Sequence, residues 1–357
     1  MKFELNHPYN SLFIDIANVL NNHGHKLYLV GGTIRDAVMG QVSHDIDMAT
    51  SAMPNELELL FDDTLAIGKM YGTISIVKYF EQKRIPIQVT TFRQDGDYSN
   101  YRHPDTVTFS SSLKDDIQRR DFTINGLAYD VLTNELIDYV SGKNDINNKI
   151  IRVIGDPDKR FSEDSLRLLR CCRFIAQLGF ACEEKTWDAV CRLSPKALLP
   201  SKERMTAELL ALIQSKQPSL GINALNDSGL GDRFLPGMSS VDQKELKKLD
   251  SLAGNMRLAF LIKDLDLELV FEKIRLKKQE EEWIKALIKF DFDSKKAAFQ
   301  KKDLALSGAQ IQALGYKDKQ IGILQRYCLD YVLHDLDLNN RKDLESYIDK
   351  ISKELNF

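Results

Sequence analysis

Apolar positions along the chain change their period once. Up to about residue 140, short apolar runs alternate with polar residues at the period of a strand, with a few helix-spaced segments between them. From about Asp156 onward the spacing is almost wholly helical. In the first part, residues 9–23 place Leu12, Ile16, Val19 and Leu20 on one helical face. Leu27, Leu29 and Val30 read as a strand end. Gly31 and Gly32 follow, a helix pattern covers 33–39, and Gly40 fits its C-cap. Ile46 and Met48 then alternate with Asp45 and Asp47, so the pattern predicts a strand with both carboxylates on one face. Residues 54–61 read as a helix with Pro54 in the first turn, and 68–79 and 84–92 alternate as strands. Together these predict a small mixed sheet with helices around it.

The helical part predicts one long helix from Ser162, as N-cap, to about Leu178, with Gly179 closing it. Asp164, Arg167, Arg170 and Arg173 recur every third residue along it. At 3.6 residues per turn Asp164 and Arg167 share a face, and the later arginines drift round from it. Leu166, Leu169 and Ile175 supply apolar contacts. Residues 201–213 start another helix that carries Glu203, Arg204 and Glu208, read mainly as scaffold. Residues 256–267 are an apolar helix pattern, and 271–289 mix charge with Leu276, Trp283, Ile284 and Leu287. Beyond them lie Lys295, Lys296, Lys301, Lys302, Lys317 and Lys319, a basic cluster that is either a solvated face or a contact for a nucleic-acid backbone. No internal repeat or low-complexity segment interrupts the chain.

Composition narrows the classes. A chain of 357 residues with 43% hydrophobic content has two or more structural units and a sizeable core. A net charge of −3 argues against a nonspecific nucleic-acid coat and leaves room for a local basic face. The five cysteines form no CxxC pair, which fits free thiols in a reducing cytosol, with Cys171 and Cys172 packed beside a helix core. The N-terminal residues lack a signal-peptide apolar run, and no stretch approaches the ~18 apolar residues of a membrane span. The expectation is a soluble, cytoplasmic protein with no membrane partner.

The candidate chemistry lies in three polar motifs. Taken singly, a Gly-Gly is a turn and an Asp-x-Asp is a solvated strand face. Here 12 residues lie between Gly32 and Asp45, Arg35-Asp36 among them. A glycine turn opening a helix offers backbone N–H groups to phosphate oxygens, and a carboxylate pair holds magnesium (Mg2+). Two metals between an attacking oxygen and a leaving phosphate are the logic of nucleotidyl transfer. The second motif is Arg119-Arg120-Asp121-Phe122-Thr123-Ile124-Asn125. An Asp can accept from a ribose hydroxyl, and an Arg can fork onto phosphate oxygens. The third is Glu163-Asp164-x-x-Arg167.

GG-x-x-RD followed by DxD-x-x-T resembles the nucleotide-binding motif of the class II tRNA nucleotidyltransferases, in the polymerase-β-like superfamily. These are the CCA-adding enzymes and the bacterial poly(A) polymerases. The RRDFTIN, EDxxR and ERxxxEL runs are similar to further motifs of that family, in the same order. The resemblance implies an α/β head of polymerase-β-like nucleotidyltransferase type followed by an all-α neck, body and tail, in a seahorse-like arrangement. The head would be residues 1–140, the neck 141–215 with base recognition, the body 216–275, and the tail 276–357 with tRNA contact. It implies Asp45 and Asp47 as catalytic Mg2+ ligands, and Gly32 and Arg35 as steadying the triphosphate. Arg120 and Asp121 would meet the nucleotide sugar and phosphates. Asp164 and Arg167 would form an amino-acid template for the base, with Arg170 and Arg173 reaching the triphosphate or seating the base. The partners it implies are the tRNA 3′ end, CTP and ATP.

Hydrogen-bond logic supports the template. Cytosine and adenine both present an amino donor beside a ring-nitrogen acceptor, which suits an Asp acceptor and an Arg donor. Uracil and guanine present the reverse and would leave buried groups unpaired, at about 1–3 kcal/mol each. Two positions depart from the family. Gln88 stands where a third metal carboxylate is expected. In the loop 93–106, a flexible segment associated in the family with adding the terminal A, Asn100 and His103 replace an expected Asp and Arg. The alternatives are a poly(A) polymerase, a CC-only or A-only tRNA enzyme, and a non-catalytic RNA-binding protein.

Overall fold

The computed structural model of the chain describes residues 2–43, 45–95, 107–317, 319–355 and 357. Asn100 and His103 therefore lie outside the described residues. Two compact units divide the chain: Met1–Ser251 with Glu268–Arg275, and Leu252–Leu267 with Leu276–Phe357.

The first unit opens with helix α1 (Asn10–Asn22), which lays Leu12, Phe13, Ile16, Ala17 and Leu20 into the core and leaves Val19 half-buried. Strand β1 (Leu27–Val30) runs into the short helix α2 (Gly32–Val38), then β2 (Asp47–Thr50) and α3 (Pro54–Leu60). After these come β3 (Thr64–Leu65), β4 (Thr73–Phe80) and β5 (Lys83–Thr91). A separate two-stranded ribbon of β6 (Arg93–Asp95) and β7 (Val107–Phe109) leads to α4 (Leu113–Gln118). Strands β8 (Leu127–Asp130) and β9 (Glu135–Asp138) complete the main sheet. Its order is β3-β4-β5-β2-β1-β8-β9. Only β2 and β5 pair in parallel, with Asp47 opposite Gln88; the other neighbours are antiparallel. The sheet core holds Leu29, Met48, Ile74, Ile76, Ile87 and Val89, each almost inaccessible.

Three expectations are corrected. The strand expected over 68–79 begins only at Thr73. Lys69–Tyr71 form one 3-10 turn between Gly68 at φ 88° and Gly72 at φ 85°. Those left-handed glycines let the chain fold back where apolar alternation alone suggested an extended run. Asp45 is not on a strand face, because β2 starts at Asp47 and Asp45 sits in the bend before it. The helix expected from Ser162 is two helices, α6 and α7, after α5 (Gly142–Asn148) and a two-residue strand β10 (Ile150–Ile151).

Helix α6 (Pro157–Glu163) has Asp156 as N-cap, accepting from the Lys159 N–H at 2.9 Å, with Pro157 in its first turn; Ser162 is interior. The backbone then extends at Asp164 (φ −142°). The Asp164 carboxylate accepts from the Leu166 N–H at 3.1 Å, and α7 (Leu166–Leu178) restarts from there. Asp is a capping residue, so the acid that the spacing placed inside a helix instead divides two helices. Gly179 closes α7 at φ 67°, as expected. Cys171 and Cys172 lie fully buried on α7. The same helix packs against α9 (Lys202–Ile213) and α10 (Pro218–Asp227), after β11 (Ala181–Cys182) and α8 (Glu184–Leu193).

The second unit is helical among the described residues. Its core gathers Leu306, Ile311, Leu324, Cys328, Val332, Leu344 and Ile348, and Tyr331 stacks on Tyr347 with ring centroids 4.1 Å apart. Lys295, Lys301, Lys302, Lys317 and Lys319 are exposed, while half-buried Lys296 donates to the His334 carbonyl at 2.7 Å. No helix among the described residues is long and apolar enough to cross a membrane.

Candidate active site

The turn between β1 and α2 places Gly31 at φ 66°, ψ −138°, a conformation that disfavours a side chain. A Cβ built there would meet Asp47 Oδ2 at 3.4 Å and Arg120 Nη1 at 3.5 Å, so the glycine also keeps space open between a carboxylate and a guanidinium. Thr33, next in α2, fixes the carboxylate segment. Its hydroxyl donates to the Asp45 carbonyl at 3.0 Å and accepts from the Asp47 N–H at 3.1 Å. Thr33 stood in the sequence only as a residue inside the glycine motif; its role needs the fold to be seen.

A cavity of about 490 Å³ opens beside this turn. Gly32, Asp47, Arg120, Asp121, Asp164, Arg167 and Arg170 all line it, so seven of the expected site residues converge. Arg119 and Arg204 line it as well, neither of which the sequence marked as touching nucleotide. Arg35 does not. The residue is 4% exposed, and its guanidinium bonds Asp36 Oδ1 at 2.7–2.8 Å and donates to Asn125 Oδ1 at 2.9 Å. Arg173 also turns away, pairing with Glu208 at 2.7 Å and lying 4.3 Å over the Phe174 ring.

Buried acids aim the arginines. Asp116 on α4 is inaccessible and accepts from Arg119 at 2.7–2.9 Å and from Arg120 at 2.9–3.3 Å. Burial alone would raise its pKa; the two guanidiniums outweigh that and hold it below the usual carboxylate range. Asp121 accepts from Arg170 Nε at 2.7 Å and from the Phe122 N–H at 2.8 Å. Burial again opposes ionisation, but the Arg170 charge, these hydrogen bonds and Arg167 bring it down to about 2. Asp121 is thus the counter-ion that orients Arg170, which also reaches Glu208 at 3.2 Å.

Asp164 and Arg167 share the cavity wall but do not pair in the way one helical face implies. Asp164 accepts from Arg204 Nη2 at 2.7 Å, whereas Arg167 donates to Glu163 at 2.8 Å and to the Arg160 carbonyl at 2.7 Å. The break between α6 and α7 separates them. Arg204 comes from the motif read as scaffold.

Burial and the neighbouring Asp45 raise the Asp47 pKa, against the pull of Arg120 and Arg170. Among the described residues neither carboxylate has a side-chain hydrogen bond or ion pair. Two carboxylates two residues apart in the chain, neither with a bonded counter-ion, form a donor set that suits a divalent cation completed by water and substrate phosphate. Gln88 lies opposite Asp47 in the sheet, and among the described residues no group of three or more acidic, His or Cys side chains is arranged to hold a metal ion.

Comparison with known proteins agrees with this geometry. Residues 27–152 match the model of the poly A polymerase head domain, and residues 179–241 match a probable RNA and SrmB-binding site of polymerase A. The chain is 32% identical to the CCA-adding enzyme of Staphylococcus aureus strain MRSA252 over 347 residues, covering 92% of this chain and 84% of that protein. It is 36% identical to the CCA-adding enzyme of Staphylococcus saprophyticus over 283 residues, 78% of this chain and 69% of that one. Among solved structures it superposes on the Bacillus stearothermophilus CCA-adding enzyme in complex with CTP with a TM-score of 0.67. That match has 23% identity and covers 98% of this chain and 99% of that one, a likeness of fold. A polymerase-β-like head followed by helical domains, with a carboxylate and arginine cavity at its glycine turn, defines a nucleotidyltransferase. Within that class the chain belongs to the family of CCA-adding enzymes.

Proposed function

We propose that the chain adds C, C and A in that order to the 3′ end of tRNA, drawing on CTP and ATP, in the cytoplasm. The observation that carries this reading is one cavity lined by Asp47 and the Gly31-Gly32 turn and also by Asp164, Arg167 and Arg204. Phosphate chemistry and base selection then act on a single bound triphosphate. The RNA 3′-hydroxyl oxygen forms a bond to the α-phosphorus, the bond to the β-phosphate oxygen breaks, pyrophosphate leaves, and the hydroxyl proton goes to solvent.

Asp45 and Asp47 would hold Mg2+, which when bound lowers the pKa of the attacking hydroxyl and neutralises the leaving group. Arg120 and Arg170, held by Asp116 and Asp121, bind the phosphates. Arg35, bonded to Asn125, supports the glycine turn, and Arg173 with Glu208 supports α7. Asp164 accepts from the exocyclic amino group of cytosine or adenine, and Arg167 donates to the adjacent ring nitrogen. The exposed lysines of the second unit meet the tRNA backbone through phosphate charge.

The test is incorporation from each triphosphate alone. CTP should enter a tRNA transcript ending at the discriminator base, and ATP should enter one ending in CC. UTP and GTP should enter neither, and chelating the divalent cation should stop both reactions. Incorporation of all four triphosphates, or none, would refute the reading.

A further inference from the structure

The two acids of the Asp-x-Asp motif do not line the same cavity. Asp47 lines the arginine-rich one already described, while Asp45 lines a second, of about 610 Å³, with Tyr9, Ile67, Ser75, Arg84 and Gln88 among its walls. Sheet register joins the two. Asp47 is opposite Gln88, Gln88 opposite Ser75, and Ser75 opposite Leu65, so one row of side chains crosses β2, β5, β4 and β3 on a single face. At about 4.8 Å per strand the row extends roughly 14 Å from Asp47. That is far enough to carry a nucleotide away from the carboxylates.

The chemistries of the two cavities differ. The first is walled by arginines, as a triphosphate requires. The second is mainly apolar, through Ile67, Ile85, Pro86 and the Tyr9 ring, and has one guanidinium, Arg84, at its rim. Arg84 is half exposed and stands 3.5 Å from Asp63. The Tyr9 wall is preformed: its ring packs edge-on against Phe80 with centroids 5.2 Å apart, and its N–H donates to His7 Nδ1 at 3.2 Å. Such a space fits one nucleoside carrying one phosphate.

In-line displacement puts the attacking hydroxyl on the far side of the α-phosphorus from pyrophosphate, hence across the carboxylates from the triphosphate cavity. We propose that the Asp45 cavity seats the 3′-terminal nucleoside of the RNA being extended. Its base lies against Tyr9 and Ile67, its 5′ phosphate meets Arg84, and its 3′-hydroxyl points to Asp45. This rests on the nucleotidyl-transfer reading above. Apolar and aromatic walls hold any base by its face, so one seat accepts a discriminator base, a first C and a second C in turn. Base choice stays with the incoming triphosphate.

The test is steady-state kinetics on the full chain with Arg84→Ala, Tyr9→Leu and Arg84→Lys. tRNA is varied at saturating CTP, then CTP at saturating tRNA. The expected result is a KM for tRNA raised about tenfold in Arg84→Ala and Tyr9→Leu, with the KM for CTP within about twofold of the parent. Arg84→Lys, which keeps the charge, should recover most of the tRNA affinity. An unchanged KM for tRNA in both variants, or a rise in the KM for CTP instead, overturns the seat while parent activity stands. A parent protein that incorporates nothing overturns the nucleotidyl-transfer reading and the seat with it.

Discussion

Arg204 on α9 holds Asp164 at 2.7 Å, while Arg167, three residues beyond Asp164, is turned to Glu163 at 2.8 Å. Each member of the proposed base-reading pair therefore has its own support, and both supports come from charged motifs. The backbone break at Asp164 makes this possible, since a continuous helix would bring Asp164 and Arg167 onto one face.

On the proposed template, replacing Asp164 removes the acceptor that would distinguish an amino group from a carbonyl. Asp164→Ala should lower the preference for CTP over UTP by about tenfold or more, with a smaller change in triphosphate affinity. Arg204→Ala should move the same ratio in the same direction by less, because it acts by positioning, and Arg204→Lys should restore part of it. Competition assays with paired triphosphates measure the ratio; unchanged selectivity in Asp164→Ala would remove the template.

Asp47→Asn should bring incorporation to background while the protein stays folded. Burial and the Asp45 charge already disfavour its ionised form, so the amide relieves repulsion. The melting temperature should hold within about 2 °C or rise. Turnover at the parent rate in this variant would remove the metal role of the carboxylates.

Much of this was legible in the residues. The glycine turn, the change of period, the buried face of α1 and the Gly179 stop follow from local rules that the fold leaves intact. What escaped depends on partners distant in sequence. Gln88 and Asp47 are neighbours only through the parallel pairing of β5 with β2, and Arg204 reaches Asp164 from 40 residues away. Arg35, read as a phosphate ligand, is buried by Asp36 and by Asn125, 90 residues on. Asp164 was misplaced because three-residue charge spacing looks the same whether an acid sits inside a helix or ends one.

Asp121 gives the pH dependence of stability a definite sign. Its folded-state pKa, about 2, lies below the ordinary 3.8, so the folded form stays ionised where the unfolded form takes up a proton. Its contribution is complete above about pH 4 and is lost as pH falls through 2, amounting to about 2 kcal/mol. In urea titrations Asp121→Asn should be less stable than the parent at pH 7, and the gap should close between pH 4 and 2. A gap that persists at pH 2 would show that Arg170 is not held by the Asp121 charge.

Gly31→Ala tests the turn. The left-handed φ of 66° should cost about 1–2 kcal/mol. The new methyl also stands 3.4 Å from Asp47 Oδ2, so turnover should fall beyond what the lost stability explains. Equal stability and full activity in this variant would mean that the turn relaxes freely.

The most direct measurement is the sequence of product ends. Purified protein, Mg2+, CTP and ATP are incubated with a tRNA transcript ending at its discriminator base, and the 3′ ends are read. The expected result is C, C, A and a stop. Long A tails, or ends that stop after two C residues with ATP present, would contradict it.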